Sequence, residues 1–368
     1  MTAGTLAGLR VLDAASLFAA PLLSALLADH GADVVLLEPP EGDSYRTTPF
    51  WPLTARGKRS VVLDSEDRAT LHRLVAAADV VVVNEPAARL ARRGLDPATL
   101  LAVNPDLVVA HVSGFGADGP YADRPGNGTL AEAFAGLTHM TGDADGPPVL
   151  PSVPLGDAVM ALTGAFGVVS ACYDLVANSA RGRVVDVNPV DAMLHIVGPT
   201  VTAVSDGVPP PGRLGSRLAG SSLRMVFSTA DGAWVATSIS TPRQRRDLAA
   251  LVGAPDDAEL EHAVRAWFEG HDRDEAIGKM VAAMLPVAPV NTARDVAADP
   301  HIWARGALRA LHTHDGRTVT VPAPAPRTAG AERPASVEVL AATGEHTAEV
   351  LAEWTTRPAP PLARDDSG

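Results

Sequence analysis

The run Val80-Val81-Val82-Val83 is apolar at four successive positions, so as a strand it presents no polar side chain to either face. A strand of that kind has to be covered on both faces, which is the situation of a central strand in a parallel sheet flanked by helices. Similar short apolar runs occur at Arg10-Val11-Leu12-Asp13, Val34-Val35-Leu36-Leu37, Ser60-Val61-Val62-Leu63-Asp64 and Leu107-Val108-Val109-Ala110-His111-Val112. Between them the spacing of apolar residues predicts helices over 21–30, stopped by Gly31, and over 66–78. The expectation for the first half is an α/β fold with a doubly wound parallel sheet.

A local echo, Ala32-Asp33-Val34-Val35 ahead of Glu38-Pro39 and Ala78-Asp79-Val80-Val81 ahead of Glu85-Pro86, has no third copy. It reads as two βα units of one sheet rather than as a repeat array. A Pro/Gly/Arg-rich stretch, 209–217, marks a connection to a second domain. Beyond it the patterning predicts a hairpin over 225–237 turning at Asp231-Gly232, helices over 242–252 and 259–269, and a second hairpin, 307–311 with 318–321, around Asp315-Gly316. A return linker over 323–334 and a last helix over 344–354 follow, then a frayed tail. The domain assignment is 1–208 for the large domain, 209–224 for the linker and 225–322 for a smaller α+β domain.

Of the 368 residues, 46% are hydrophobic and 20% charged, which is enough apolar matter for a large core and excludes a mostly disordered chain. The net charge is −13 and aromatics are only 4%, so the basic field and stacking rings of a nucleic-acid binder are missing. The single cysteine, Cys172, cannot form an internal disulfide, which fits a reducing cytoplasm. The apolar run 158–173 falls short of the roughly 20 residues of a membrane span and reads as a buried helix packed through Gly164, Ala165, Gly167 and Ala171. No membrane and no nucleic acid are expected as partners.

Candidate chemistry is spread along the chain. Gly114, Gly116 and Gly119 form a literal G-x-G-x-x-G after a strand, but Pro120 to Gly126 cannot open a regular helix, so a plain glycine-rich turn is expected. Arg56-Gly57-Lys58-Arg59 and Arg92-Arg93 are basic clusters in an acidic protein: either solvated surface charge or phosphate ligands. Asp157 follows Gly156 at the start of the long apolar helix, where it is either the helix N-cap or a carboxylate nucleophile beside backbone amides. Glu132 is a possible general acid or base. The histidines lack metal-ligand spacing and Cys172 lies inside an apolar run, so neither a metal site nor a cysteine nucleophile is inferred.

Taken in order, these pieces resemble class III CoA-transferases, the family of formyl-CoA transferase, carnitine CoA-transferase and alpha-methylacyl-CoA racemase. The resemblance is carried by Gly8-Leu9-Arg10-Val11-Leu12-Asp13, Leu26 to Val34, Glu38-Pro39-Pro40-Glu41-Gly42-Asp43, Arg56 to Val61, Ser113-Gly114-Phe115-Gly116 and Gly119-Pro120-Tyr121. It continues through Leu155-Gly156-Asp157, Arg181 to Val187, Asp191-Ala192-Met193, Asp299-Pro300-His301 and Ala304-Arg305-Gly306. The resemblance implies a Rossmann-like large domain completed by 335–368, an inserted smaller domain and an interlocked homodimer. It also implies an enzyme that moves coenzyme A from an acyl-CoA donor to a small carboxylic acid acceptor. Asp157 is then the catalytic carboxylate, passing through an aspartyl-acyl anhydride and an aspartyl-CoA thioester. Coenzyme A is expected on Arg46, Arg56, Lys58, Arg59, Asn84 and Arg92, with Leu17 and Phe18 bordering its pantetheine arm.

The sequence departs from the family where chemistry is concentrated. The racemase branch carries His-Asp, and transferases an aromatic residue followed by an acid, where this chain has Asn127-Gly128. Neither can act as a base, so two-base racemisation is disfavoured unless Glu132 or His139 substitutes. Asn84-Glu85-Pro86-Ala87-Ala88 stands where the family has Asn-Phe-Arg-Pro-Gly, with an arginine lost. The alternatives to a transferase are a racemase or isomerase of 2-methylacyl-CoA, or a repurposed acyl-CoA binder.

Overall fold

The computed structural model describes residues 4–218, 223–254, 259–327 and 339–356. Parts of the expected linkers and of the tail lie outside the described residues. The chain divides into two compact units, one of Met1–Leu137, Pro151–Pro199 and Pro300–Gly368, the other of Thr138–Leu150 and Thr200–Asp299.

The first unit opens with β1 (Arg10–Asp13), α1 (Ala19–Asp29), β2 (Asp33–Glu38), α2 (Trp51–Ala55), β3 (Lys58–Val62), α3 (Arg68–Ala77) and β4 (Val80–Val83). It continues through α4 (Ala87–Arg93), α5 (Pro97–Val103), β5 (Val108–Val112) and α6 (Gly128–Phe134); α7 (Leu137–Met140) falls in the second unit but for Leu137, and α8 (Leu155–Asn178), β6 (Arg183–Val187) and α9 (Pro189–Ser205), up to Pro199, return to the first. The strands form a six-stranded sheet in the order β3-β2-β1-β4-β5-β6, every pair parallel. This is the Rossmann order, and its topological switch point lies between β1 and β4.

The strand run that fixes the fold does so through its period of two. Val80 and Val82 face α1 and α8 together with Val11, Val34, Val108 and Ala110. Val81 and Val83 face the other way, packing with Leu12, Val35, Val61 and Val109 against Leu71, Leu74 and Val75 of α3. Both faces are therefore dry, which is why no polar residue interrupts the run.

The second unit holds β7 (Leu223–Ser228), β8 (Trp234–Ile239), α10 (Pro242–Val252), α11 (Leu260–Glu269), α12 (Arg273–Ala282), β9 (Val287–Pro289) and α13 (Ala293–Ala298). The expected hairpin gains β9 as a third antiparallel strand. Phe227 stacks on Phe268, ring centroids 5.2 Å apart, at the centre of this unit's own core. A reciprocal cap starts α10: the Thr241 hydroxyl accepts from the Gln244 amide, and the Gln244 side chain accepts from the Thr241 amide.

The chain then forms α14 (Pro300–Ala304), the hairpin β10 (Leu308–His312) and β11 (Thr318–Pro322), and α15 (Thr347–Thr356). The hairpin, assigned from sequence to the smaller domain, packs instead on the first unit. Leu311 and Val321 are buried with Leu36, Trp51, Ala55 and Leu340, a long-range partner set that no local pattern reveals. Val350 and Trp354 of α15 join α3 in the core, and the Trp354 indole donates to Asp33 at 3.0 Å.

Helix α8 has 24 residues and, by length and composition, is apolar enough to cross a membrane. Its face Met160, Ala161, Gly164, Val168, Cys172 and Leu175 is buried, and most of it packs with α1. The stripe Leu162, Phe166, Val169 and Tyr173 is exposed, Phe166 by 76%.

Candidate active site

In a doubly wound sheet the ligand crevice lies beyond the carboxyl ends of the strands at the switch point. Here that place is a cleft of about 810 Å³. It is lined by Ala14, Ala15, Ser16 and Leu17 after β1, by Leu37 and Pro39 at the end of β2, and by Glu85, Arg89, Arg92 and Arg93 after β4. Leu17 stands at φ 71°, a left-handed backbone uncommon for leucine, and its side chain is exposed. Asn84 holds this turn, its amide accepting from Ser16 N–H at 3.0 Å and donating to Ser16 O at 2.7 Å. Phe18, buried, meets Phe50 edge-on at 5.3 Å.

The basic residues named from sequence meet different fates. Arg56 is buried and binds Asp29 at 2.6 Å. Lys58 is buried on Asp13 at 2.7 Å and on Pro21 O at 2.6 Å, and Ser24 also donates to Asp13. Burial presses the Lys58 ammonium below its usual value, and Asp13 opposes that. Arg59 is shared among Asp33, Glu349 and Glu353. Arg46 pairs with Glu38, donates to Ala341 O and lies over Trp51. Each of these four has its charge met inside the fold.

The arginines of α4 line the cleft instead. Arg92 makes no ion pair among the described residues, while Arg89 and Arg93 share Glu85 Oε1 at 3.3 and 2.7 Å. The second Glu85 oxygen is buried without a hydrogen-bond partner. Sequence reasoning named the Arg92-Arg93 cluster, with Arg92 as the coenzyme A residue, and missed Arg89; the visible signal was three arginines on one short helix after a strand. Their guanidinium groups suit a phosphate-bearing ligand.

Asp157 is not the cap of α8. That helix begins at Leu155 after Pro154, which offers no side-chain cap, and Asp157 sits inside the first turn. Its Oδ1 accepts the Gly128 N–H at 3.1 Å, at the start of α6. Glu132, one turn further along α6, is 1% exposed and accepts the Gly156 N–H at 2.8 Å. Asn127 caps α6 by accepting from Leu130 N–H at 3.1 Å. The two helix starts touch through glycine: a Cβ on Gly128 would stand 2.4 Å from Asp157 N and 2.5 Å from its Cγ. A Cβ on Gly156 would stand 2.5 Å from Gly128 O.

Burial raises the Asp157 carboxyl above its usual value, the Glu132 charge adds to this, and the Gly128 amide opposes it. The phenol of Tyr45, next to the cleft residue Ser44, is raised above its usual value by burial, with the charge of Asp157 adding to this. Asp13, Asp29 and Asp33 all have cationic partners, whereas Asp157 has none among the described residues. A half-buried carboxylate held by one amide, with a raised pKa and no counter-ion, is equipped to act as a nucleophile or base. Cys172 is not: burial pushes its thiol up to about 12. No cluster of three or more His, Cys, Asp or Glu suited to a metal occurs among the described residues.

Comparison with known proteins gives the family. The chain is 34% identical to a succinyl-CoA–L-malate CoA-transferase beta subunit from Chloroflexus aurantiacus, over 95% of this chain and 93% of that one. It is 31% identical to a succinate–glutarate CoA-transferase from Agrobacterium fabrum, over 95% and 96%. A CAIB/BAIF family protein from Brucella suis superposes with a TM-score of 0.84 at 28% identity, covering 96% of this chain and all of that one. A hypothetical protein from Mycobacterium tuberculosis gives 0.81 at 25% identity, over 94% and 99%. The model of CoA-transferase family III matches residues 6–347, and the chain belongs to that family.

Proposed function

We propose that this CoA-transferase works through Asp157, moving coenzyme A from an acyl-CoA to a carboxylic acid. The observation that carries the reading is the Asp157 carboxylate itself: half-buried, bound by one backbone amide and without a counter-ion among the described residues. Its oxygen attacks the thioester carbonyl, and the C–S bond breaks to give an aspartyl-acyl anhydride and CoA thiolate. The thiolate attacks the aspartyl carbonyl, releasing the donor acid as carboxylate and leaving an aspartyl-CoA thioester. The acceptor carboxylate then attacks that thioester, and the thiolate returns to the acceptor acyl carbon, regenerating Asp157. No net proton is needed, which suits a site where Asn127 is a cap and Gly128 has no side chain. The same absence of a base there disfavours two-base racemisation.

Coenzyme A is assigned to the cleft at the switch point, with Arg89, Arg92 and Arg93 toward its phosphates and the Ser16–Leu17 turn along its chain. Relatives named for succinyl-CoA make it the first donor to test, with four- and five-carbon dicarboxylates as acceptors. Succinyl-CoA with hydroxylamine should yield a hydroxamate at Asp157, and Asp157→Ala should lose roughly a thousandfold or more in kcat. Parent-level turnover in that variant overturns the assignment.

We also propose that a second copy of the chain covers the stripe Leu162, Phe166, Val169 and Tyr173, which recurs at helical spacing on α8. Light scattering should give twice the chain mass, and Phe166→Glu should halve it. A parent protein of single-chain mass sinks this assembly.

A further inference from the structure

Helix α8 starts without a cap of its own, because Pro154 has no side chain that can accept a hydrogen bond. The Gly156 amide in its first turn is satisfied from another helix, by Glu132 Oε1 at 2.8 Å. Gly128, four residues before Glu132 and so on the same face of α6, donates to the Asp157 carboxylate at 3.1 Å. The two bonds clamp successive residues, Gly156 by its amide and Asp157 by its side chain, across a crossing too close for a Cβ on either glycine.

We infer that Glu132 is a positioning residue for Asp157: it fixes the peptide that carries the nucleophile and sets a buried like charge beside it. This deepens the reading of Asp157 as nucleophile and rests on it. A neutral acceptor would satisfy the Gly156 amide equally well, so the charge calls for a second role. Among the described residues, the charged and titratable groups that act on Asp157 or on its neighbour in charge Tyr45 are Glu132 on α6, Tyr45 itself ahead of α2, and Asp43 two residues before it. None is a cation. Glu132 therefore repels the resting carboxylate, and that repulsion vanishes once Asp157 is acylated and neutral. The like charge also keeps Asp157 more basic than a solvated aspartate, with burial acting in the same direction.

Two substitutions separate reach from charge. Glu132→Gln keeps the acceptor and removes the charge. The acid limb of the pH–rate profile should move to lower pH, with plateau kcat reduced by roughly three- to tenfold and KM for the donor unchanged within about twofold. Glu132→Asp keeps the charge and loses a methylene of reach. Its acid limb should stay in place while plateau kcat falls by roughly tenfold or more, because the nucleophile is misplaced. The assay is exchange of labelled succinate into succinyl-CoA by the full chain. A carbon-13 NMR titration of the Asp157 carboxyl, assigned with Asp157→Asn, reads the same ionisation without turnover.

An acid limb or carboxyl titration that stays put in Glu132→Gln overturns the inference, as does a parent-level plateau in Glu132→Asp. Undiminished exchange in Asp157→Ala would instead remove the nucleophile reading, and this inference with it.

Discussion

Two basic clusters that look alike in the sequence have opposite fates. Arg56, Lys58 and Arg59 lead into β3 and are spent on Asp29, Asp13, Asp33, Glu349 and Glu353. Arg89, Arg92 and Arg93 follow the exit of β4 and line the cleft. In a parallel sheet only the exit ends of the strands open onto the ligand crevice, so the end of the strand on which a cation sits decides whether it serves the fold or the ligand.

The largest effect that can break this contrast is at Lys58. Lys58→Met leaves Asp13 buried and unpaired, and should cost about 3–5 kcal/mol in denaturant unfolding. A loss of coenzyme A affinity at unchanged stability would instead make Lys58 a ligand residue.

Next comes a buried acid at the entry end of a strand. Asp79, just before β4, accepts the Arg10 amide at 2.8 Å, and burial raises its carboxyl to about 6. Because the folded chain binds this proton more tightly than the unfolded chain, the contribution is fully present below about pH 4 and is lost as the pH rises through 6. Asp79→Asn should therefore gain about 2–3 kcal/mol of stability at pH 7, a gain that disappears below about pH 4, with exchange activity unchanged. A melting temperature independent of pH in the comparison of parent and variant would refute the shift.

Among the cleft arginines, Arg92→Ala should raise KM for succinyl-CoA by about tenfold, more at low salt than at high, while the melting temperature holds. Arg93→Ala should do less, since Glu85 already competes for its charge. The smallest effect belongs to Cys172. With its thiol pushed up to about 12, it should resist iodoacetamide at pH 8 in the native state, and Cys172→Ala should leave exchange within about twofold. Rapid alkylation with loss of activity would contradict that.

The part of the fold that was legible is the part set by local pattern. Arg10–Asp13 and Pro242–Val252 fall where the sequence places them, because continuous apolar runs and a Thr-Pro helix start carry their own signals. The membership of β10 and β11 was not legible, since it depends on Leu311 and Val321 meeting Leu36 and Trp51 far along the chain. At the site, Asp157 stood out, but its geometry did not. A reading along one chain segment makes it a helix cap, whereas its partner is an amide on α6, 29 residues earlier. Gly128 read as the loss of an acid, and the crossing shows what its missing side chain allows.

That crossing has a consequence for how such a chain changes over generations. An acid at 128 is blocked while α8 begins where it does, since the new side chain would occupy the space of the Asp157 carboxylate and of the Asp157 amide. The substitution becomes tolerable only after the first turn of α8 has shifted, and such a shift forfeits both the Gly128 and the Glu132 contacts. Positions 128, 132 and 156 are therefore coupled, and a side chain is accepted at one only if the others move with it.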